Sequence, residues 1–110
     1  MIYHLKIYQT SEGRQPFKEW REKLKKKDPR AVLKINSTLD KAENGNFSDH
    51  KFERGGVWEM RIDYGPGYRL YYSVENQDIV LLLVGGDKTT QTRDINKAIE
   101  YLKDYKVRSK

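Results

Sequence analysis

The chain has 110 residues, a length that fits one domain, and 22 Lys and Arg against 16 Asp and Glu give it a formal net charge of +6. That balance favours an acidic partner such as nucleic acid, an acidic protein or an anionic surface. The absence of Cys excludes disulfides, thiolate metal sites and a Cys nucleophile, and the longest apolar run, residues 79–84, is far too short for a helical membrane span.

The N-terminal residues lack a basic region followed by an apolar block, so the expectation is a cytoplasmic protein without a secretory signal. Residues 2–8 alternate, with Tyr3, Leu5 and Ile7 on one side and His4 and Lys6 on the other, which predicts a first strand. Residues 10–13 break it. Pro16 then suits a first helical position, and Phe17, Trp20 and Leu24 form one apolar stripe that ends at Lys25, Lys26 and Lys27. Asp28 and Pro29 start a second helix as N-cap and first residue. Its stripe is Val32, Ile35, Leu39 and Ala42, and Asn44-Gly45 closes it. A short strand is expected near residues 51–53, followed by a turn at Gly55-Gly56. Residues 57–64 and 68–74 alternate around Gly65-Pro66-Gly67, and residues 79–84 read as a strand covered on both faces. Thr89 or Thr90 caps a last helix with the stripe Ile95, Ala98, Ile99, Leu102 and Tyr105. Residues 106–110 read as a loose basic tail. The order β-α-α-β-β-β-β-α is that of a single α+β domain spanning residues 1–110, a small, mainly antiparallel sheet with an N-terminal helical hairpin and a C-terminal helix.

Alternation along the 57–74 hairpin places Trp58, Met60, Ile62 and Tyr64 on one face with Tyr68, Leu70, Tyr72 and Val74. Glu59, Arg61, Arg69 and Tyr71 fall on the other. A three-residue loop with Tyr64 opposite Tyr68 keeps apolar against apolar and sets Arg61 across from Tyr71, near Arg69. Two neighbouring arginines repel unless an anion lies between them. That anion is either a bound phosphate or the hairpin's own Glu59 and Asp63, which would make the face a charge-balanced sheet surface.

Three segments together resemble the HigB-like branch of the RelE/ParE toxin superfamily, the addiction-module or phage-derived killer proteins. They are residues 56–63 (GVWEMRID), 67–72 (GYRLYY) and 85–95 (GGDKTTQTRDI). The likeness runs over nearly the whole chain, including the Pro-Phe-x-x-Trp helix. It implies a small twisted sheet with packed helices and the toxin of a type II toxin–antitoxin pair. It further implies a ribosome-dependent mRNA endonuclease that needs no metal or cofactor and uses the 2′-OH as nucleophile. The implied partners are a cognate, HigA-like helix-turn-helix antitoxin, the ribosome with its mRNA, and operator DNA only through the antitoxin complex. By position, Arg69 matches a phosphate-stabilising arginine, Arg61 a basic strand position, and Lys88 a basic position after the glycine turn, with Asp87 before it. Departures are Glu59, where some relatives are basic, and the lack of an evident catalytic Tyr near the last helix, for which Tyr71 is a substitute.

Arginine forks suit the stabilisation of a phosphorane, but Arg and Lys are poor bases at their usual pKa values. Histidine is by type suited to proton transfer, so His50 is a further candidate, against the plainer reading of a surface histidine. Two histidines 46 positions apart make no metal signature, so none is expected. Lys51, Arg93 and the run Lys25, Lys26 and Lys27 are candidate RNA contacts, although such runs are most often solvated faces. Phe17, Trp20 and Trp58 read as core. Two non-catalytic alternatives stay open on the same fold: a ParE-like inhibitor of DNA gyrase, and a toxin-like subunit acting only as co-repressor with its antitoxin.

Overall fold

A computed structural model describes residues 2–86 and 88–109, without the side chains of Val84 and Lys88. The first strand, β1, is His4–Ile7. Two proline-led helices follow, α1 at Pro16–Lys27 and α2 at Pro29–Glu43. Each proline stands where a helix has no use for the missing N–H. Asp28 caps α2 as expected, its Oδ1 accepting from the Ala31 N–H at 3.3 Å. Strands β2 (Asp49–Arg54), β3 (Val57–Ile62), β4 (Tyr68–Glu75) and β5 (Asp78–Gly85) then form a meander. A single 3-10 turn at Lys88–Thr90 leads into α3, Gln91–Arg108.

The five strands lie in the order β1-β5-β4-β3-β2. Only β1 pairs in parallel, with Leu5 opposite Ile79, so the sheet is mixed with one parallel edge. One face packs against α1 and α2 through Phe17, Leu24, Ile35 and Leu39 on the helices and Met60, Leu70 and Tyr72 on the strands. The other packs against α3 through Val57, Tyr71, Val80 and Leu82 under Ile95, Ala98 and Leu102. Helices on both sides explain why β5 is apolar at consecutive positions: Ile79 and Leu81 face one cluster, Val80 and Leu82 the other.

Three expectations change. The face that carries Glu59 and Arg61 is not an open outer surface, because α3 covers most of it and buries Tyr71 completely. The hairpin register is displaced by two residues: Ile62, not Tyr64, stands opposite Tyr68, and Arg61 stands directly opposite Arg69. Tyr64 has left the ladder. Its hydroxyl donates to the Asp28 carboxylate at 3.1 Å, tying the loop to the start of α2, and a turn from Tyr64 to Gly67 closes on a 3.1 Å backbone bond. Gly65 and Gly67 supply the positive φ values, +57° and +84°, that this wider loop needs. A shift of two preserves the faces, so the core is unaffected. Third, the basic tail is helical through Arg108. That guanidinium pairs with Asp104 at 2.8 Å and lies over the Tyr8 ring, which ties the chain end to the sheet.

Candidate functional site

The register brings Arg61 and Arg69 side by side at the loop end of β3 and β4, past the first turn of α3. Between them lies Glu59, a wholly buried acid two residues before Arg61 on the same face. The Arg61 Nε donates to Glu59 Oε2 at 3.2 Å, and the Arg69 Nε lies 3.3 Å from Oε1. Gln91, from the first turn of α3, donates to the same Oε1 at 2.9 Å. The anion that relieves the repulsion of two neighbouring guanidiniums is thus an internal carboxylate.

The two arginines are not equivalent. The Arg69 side chain is only 7% exposed and that of Arg61 is 44% exposed. Arg69 meets Glu59 by charge rather than by an aligned hydrogen bond, so its buried Nε–H has no hydrogen-bond acceptor among the described residues. Its Nη1 donates weakly to the Gly67 carbonyl at 3.4 Å. Arg61 spends its Nε on Glu59, while its two terminal nitrogens have no partner among the described residues. Both arginines line a recess of about 250 Å³ beside the turn at Gly67, together with Asp49 and Asp63. Asp49 is held there by cross-strand pairing with Arg61.

Tyr71 shares this face but is sealed. Its ring is fully buried, its hydroxyl has no partner among the described residues, and its pKa is pushed up by burial and then by the charges of Glu59 and Asp94. The phenol is thus enclosed and harder to ionise, the surroundings of a core group. Removing an unpaired buried hydroxyl should help the fold: Tyr71→Phe is expected to gain about 1 kcal/mol in urea unfolding. A loss of similar size would mean that the hydroxyl has a partner.

His50 is not brought to the arginines. It pairs across to Met60 and therefore lies on the α1–α2 side of the sheet, its ring near Phe47 and Trp58 and one ring nitrogen 3.1 Å from the Ser48 carbonyl oxygen. Lys51 pairs across to Glu59 on the arginine side and is exposed, 4.0 Å from Glu53. Arg93 is exposed beside Asp94. Lys25, Lys26 and Lys27 lie exposed on the last turn of α1, which packs on the opposite sheet face. Asp87 lies outside the described residues, as does the side chain of Lys88, whose backbone opens the 3-10 turn. Among the described residues no three His, Asp or Glu side chains converge as metal ligands, and no helix is long and apolar enough to cross a membrane. Sequence reasoning missed Gln91 and Asp49. Period-2 alternation carries no information on which helix residue reaches a strand, or on which β2 residue pairs with Arg61.

A protein of Haemophilus influenzae, described only as uncharacterized, is 46% identical over 82 residues, which cover 74% of this chain and 81% of that relative. Residues 19–103 match the family described as Phage derived protein Gp49-like. That span takes in most of the helical hairpin, the whole arginine hairpin and most of α3, and on it the chain belongs to the Gp49-like family of phage-derived proteins.

Proposed function

We propose that the chain is the toxin of a type II toxin–antitoxin pair and that it cuts mRNA on the ribosome without a metal. The observation that carries this reading is the pair Arg61 and Arg69, opposed across two strands at a recess beside the glycine turn. In the reaction, the 2′-oxygen attacks the adjacent phosphorus and its proton passes to a base. The bond from phosphorus to the 5′-oxygen breaks, and that oxygen takes up a proton. The products are a 2′,3′-cyclic phosphate and a 5′-hydroxyl. Arg61 contributes its terminal nitrogens to the non-bridging oxygens, the fork geometry that guanidinium offers a phosphate. Arg69, short of one hydrogen bond, supports the same charge from behind. Glu59 fixes both through their Nε edges and leaves the outer edge of Arg61 for substrate. Asp49 and Asp63 in the same lining are better proton acceptors than any arginine. Lys88 and Asp87, which follow Gly85-Gly86 in the sequence, are the remaining candidates for proton donation and phosphate contact. The partner is an antitoxin that restrains the toxin.

One observation favours a non-catalytic binder such as a gyrase inhibitor: the arginines already hold an anion of their own. Primer extension on translated mRNA after induction separates the two. In-frame cuts are expected with the wild type and are expected to fall by about 10² to 10³ in Arg61→Ala, the usual loss for one transition-state donor. Growth arrest with intact mRNA and altered DNA supercoiling would replace the nuclease reading with the binder.

A further inference from the structure

A second recess, of about 400 Å³, lies between α1 and the turn at Gly67. It is lined by Trp20, Leu24, Lys23 and Lys27 of α1, by Pro66 and Tyr68 of the hairpin, and by Gly86. Trp20 and Tyr68 meet edge to face at 5.8 Å between ring centres. Tyr68 borders both recesses, and the lining passes from Pro66 in this one to Gly67 in the other. Both lysines are exposed, and neither enters an ion pair among the described residues.

We propose that this recess receives one unpaired nucleobase of the RNA strand, next to the nucleotide whose phosphate lies at Arg61. The inference rests on the nuclease reading and deepens it by assigning a base-binding subsite. Three observations carry it. The walls are aromatic and apolar, which suits the π-face of any base. Two exposed cations, Lys23 and Lys27, line the same recess and suit the phosphates that flank a base. Tyr68 lines both recesses, which places them on either side of one residue at the end of the hairpin. Trp20, which the apolar stripe of α1 assigns to the core, is half-buried and keeps part of its indole in this recess. A peptide of the antitoxin is the competing occupant, and the test includes it.

Trp20 reports on its own recess once Trp58, the other tryptophan, is replaced by Phe. A 2′-O-methyl hexaribonucleotide, which cannot be cleaved, is expected to quench the Trp20 fluorescence saturably. The same oligomer made abasic is expected to bind without the quench. The double variant Lys23→Ala/Lys27→Ala should fold normally and weaken binding about ten-fold near 0.1 M salt. It should also lower the salt slope by about 1.4, the value for two single-strand phosphate contacts. Arg61→Ala should keep the quench while losing cleavage. Cleavage without any quench would overturn the subsite and leave the nuclease standing; neither cleavage nor quench would end both. Equal quenching by the abasic oligomer, or an acidic peptide that protects Trp20 and is not displaced by the oligonucleotide, would also overturn it.

Discussion

Glu59→Ala is expected to destabilise the protein by about 3–5 kcal/mol, the cost of leaving a buried ion without its partner. Arg69 is the ion concerned: its side chain is 7% exposed, and without Glu59 it keeps, among the described residues, the long contact to the Gly67 carbonyl. Arg61 adds little to the loss, because a half-exposed guanidinium turns to water and is screened. The cost belongs to breaking the pair, not to lacking it. Glu59→Leu combined with Arg69→Met should therefore recover most of the loss, since replacing a buried pair by apolar side chains of similar volume is often neutral or better. Urea unfolding of the two single variants and the double measures this, with a coupling of a few kcal/mol expected between the sites. A Glu59→Ala protein within about 0.5 kcal/mol of wild type would mean that the two charges do not meet in solution.

Gly85→Ala should be nearly as damaging, for a steric reason. A Cβ there would sit 2.7 Å from Cε2 of Tyr71 and 2.8 Å from Oδ2 of Asp94. Neither neighbour gives way easily. Tyr71 is enclosed, and Asp94 is held by the Thr90 hydroxyl at 2.7 Å. Overpacking of this kind costs about 1–3 kcal/mol, which for a domain near this size lowers the thermal midpoint by roughly 4–8 °C per kcal/mol. Because Gly85 is the cross-strand partner of Arg69, the displaced strand would also move the arginine pair. Activity should then fall further than the unfolded fraction explains. Gly85→Ala/Tyr71→Leu opens space beside the new methyl group and should restore part of the stability. Gly85→Ala melting with the wild type would show that β5 and α3 lie farther apart than described here.

The elements were legible because their signals are local. Prolines at 16 and 29 mark two helix starts, Asp28 marks a cap, and period-2 alternation assigns the paired residues 58–62 and 68–72 to their proper faces. What escaped was set at a distance. The loop of that hairpin is longer than the glycines alone imply, because the Tyr64 hydroxyl is held by Asp28, 36 residues earlier. The polar face proved half apolar because α3, distant in the chain, lies on it. Alternation grouped Glu59 with the arginines but could not show that it joins them, since that depends on burial and on Gln91 arriving from another element. His50 shows the limit from the other side. A residue type suited to the chemistry lies one strand from the site and faces away from it.

The parallel pairing of β1 with β5 has a consequence for synthesis. The first strand made must wait for the last strand made, and α3, which closes the second core, comes later still. Contacts so distant in the chain are slow to form. A nascent chain therefore lacks both its finished sheet and the Gln91 brace on Glu59 until β5 and α3 have been made. The buried setting of Glu59 and Arg69 is therefore completed only once α3 has closed on the sheet.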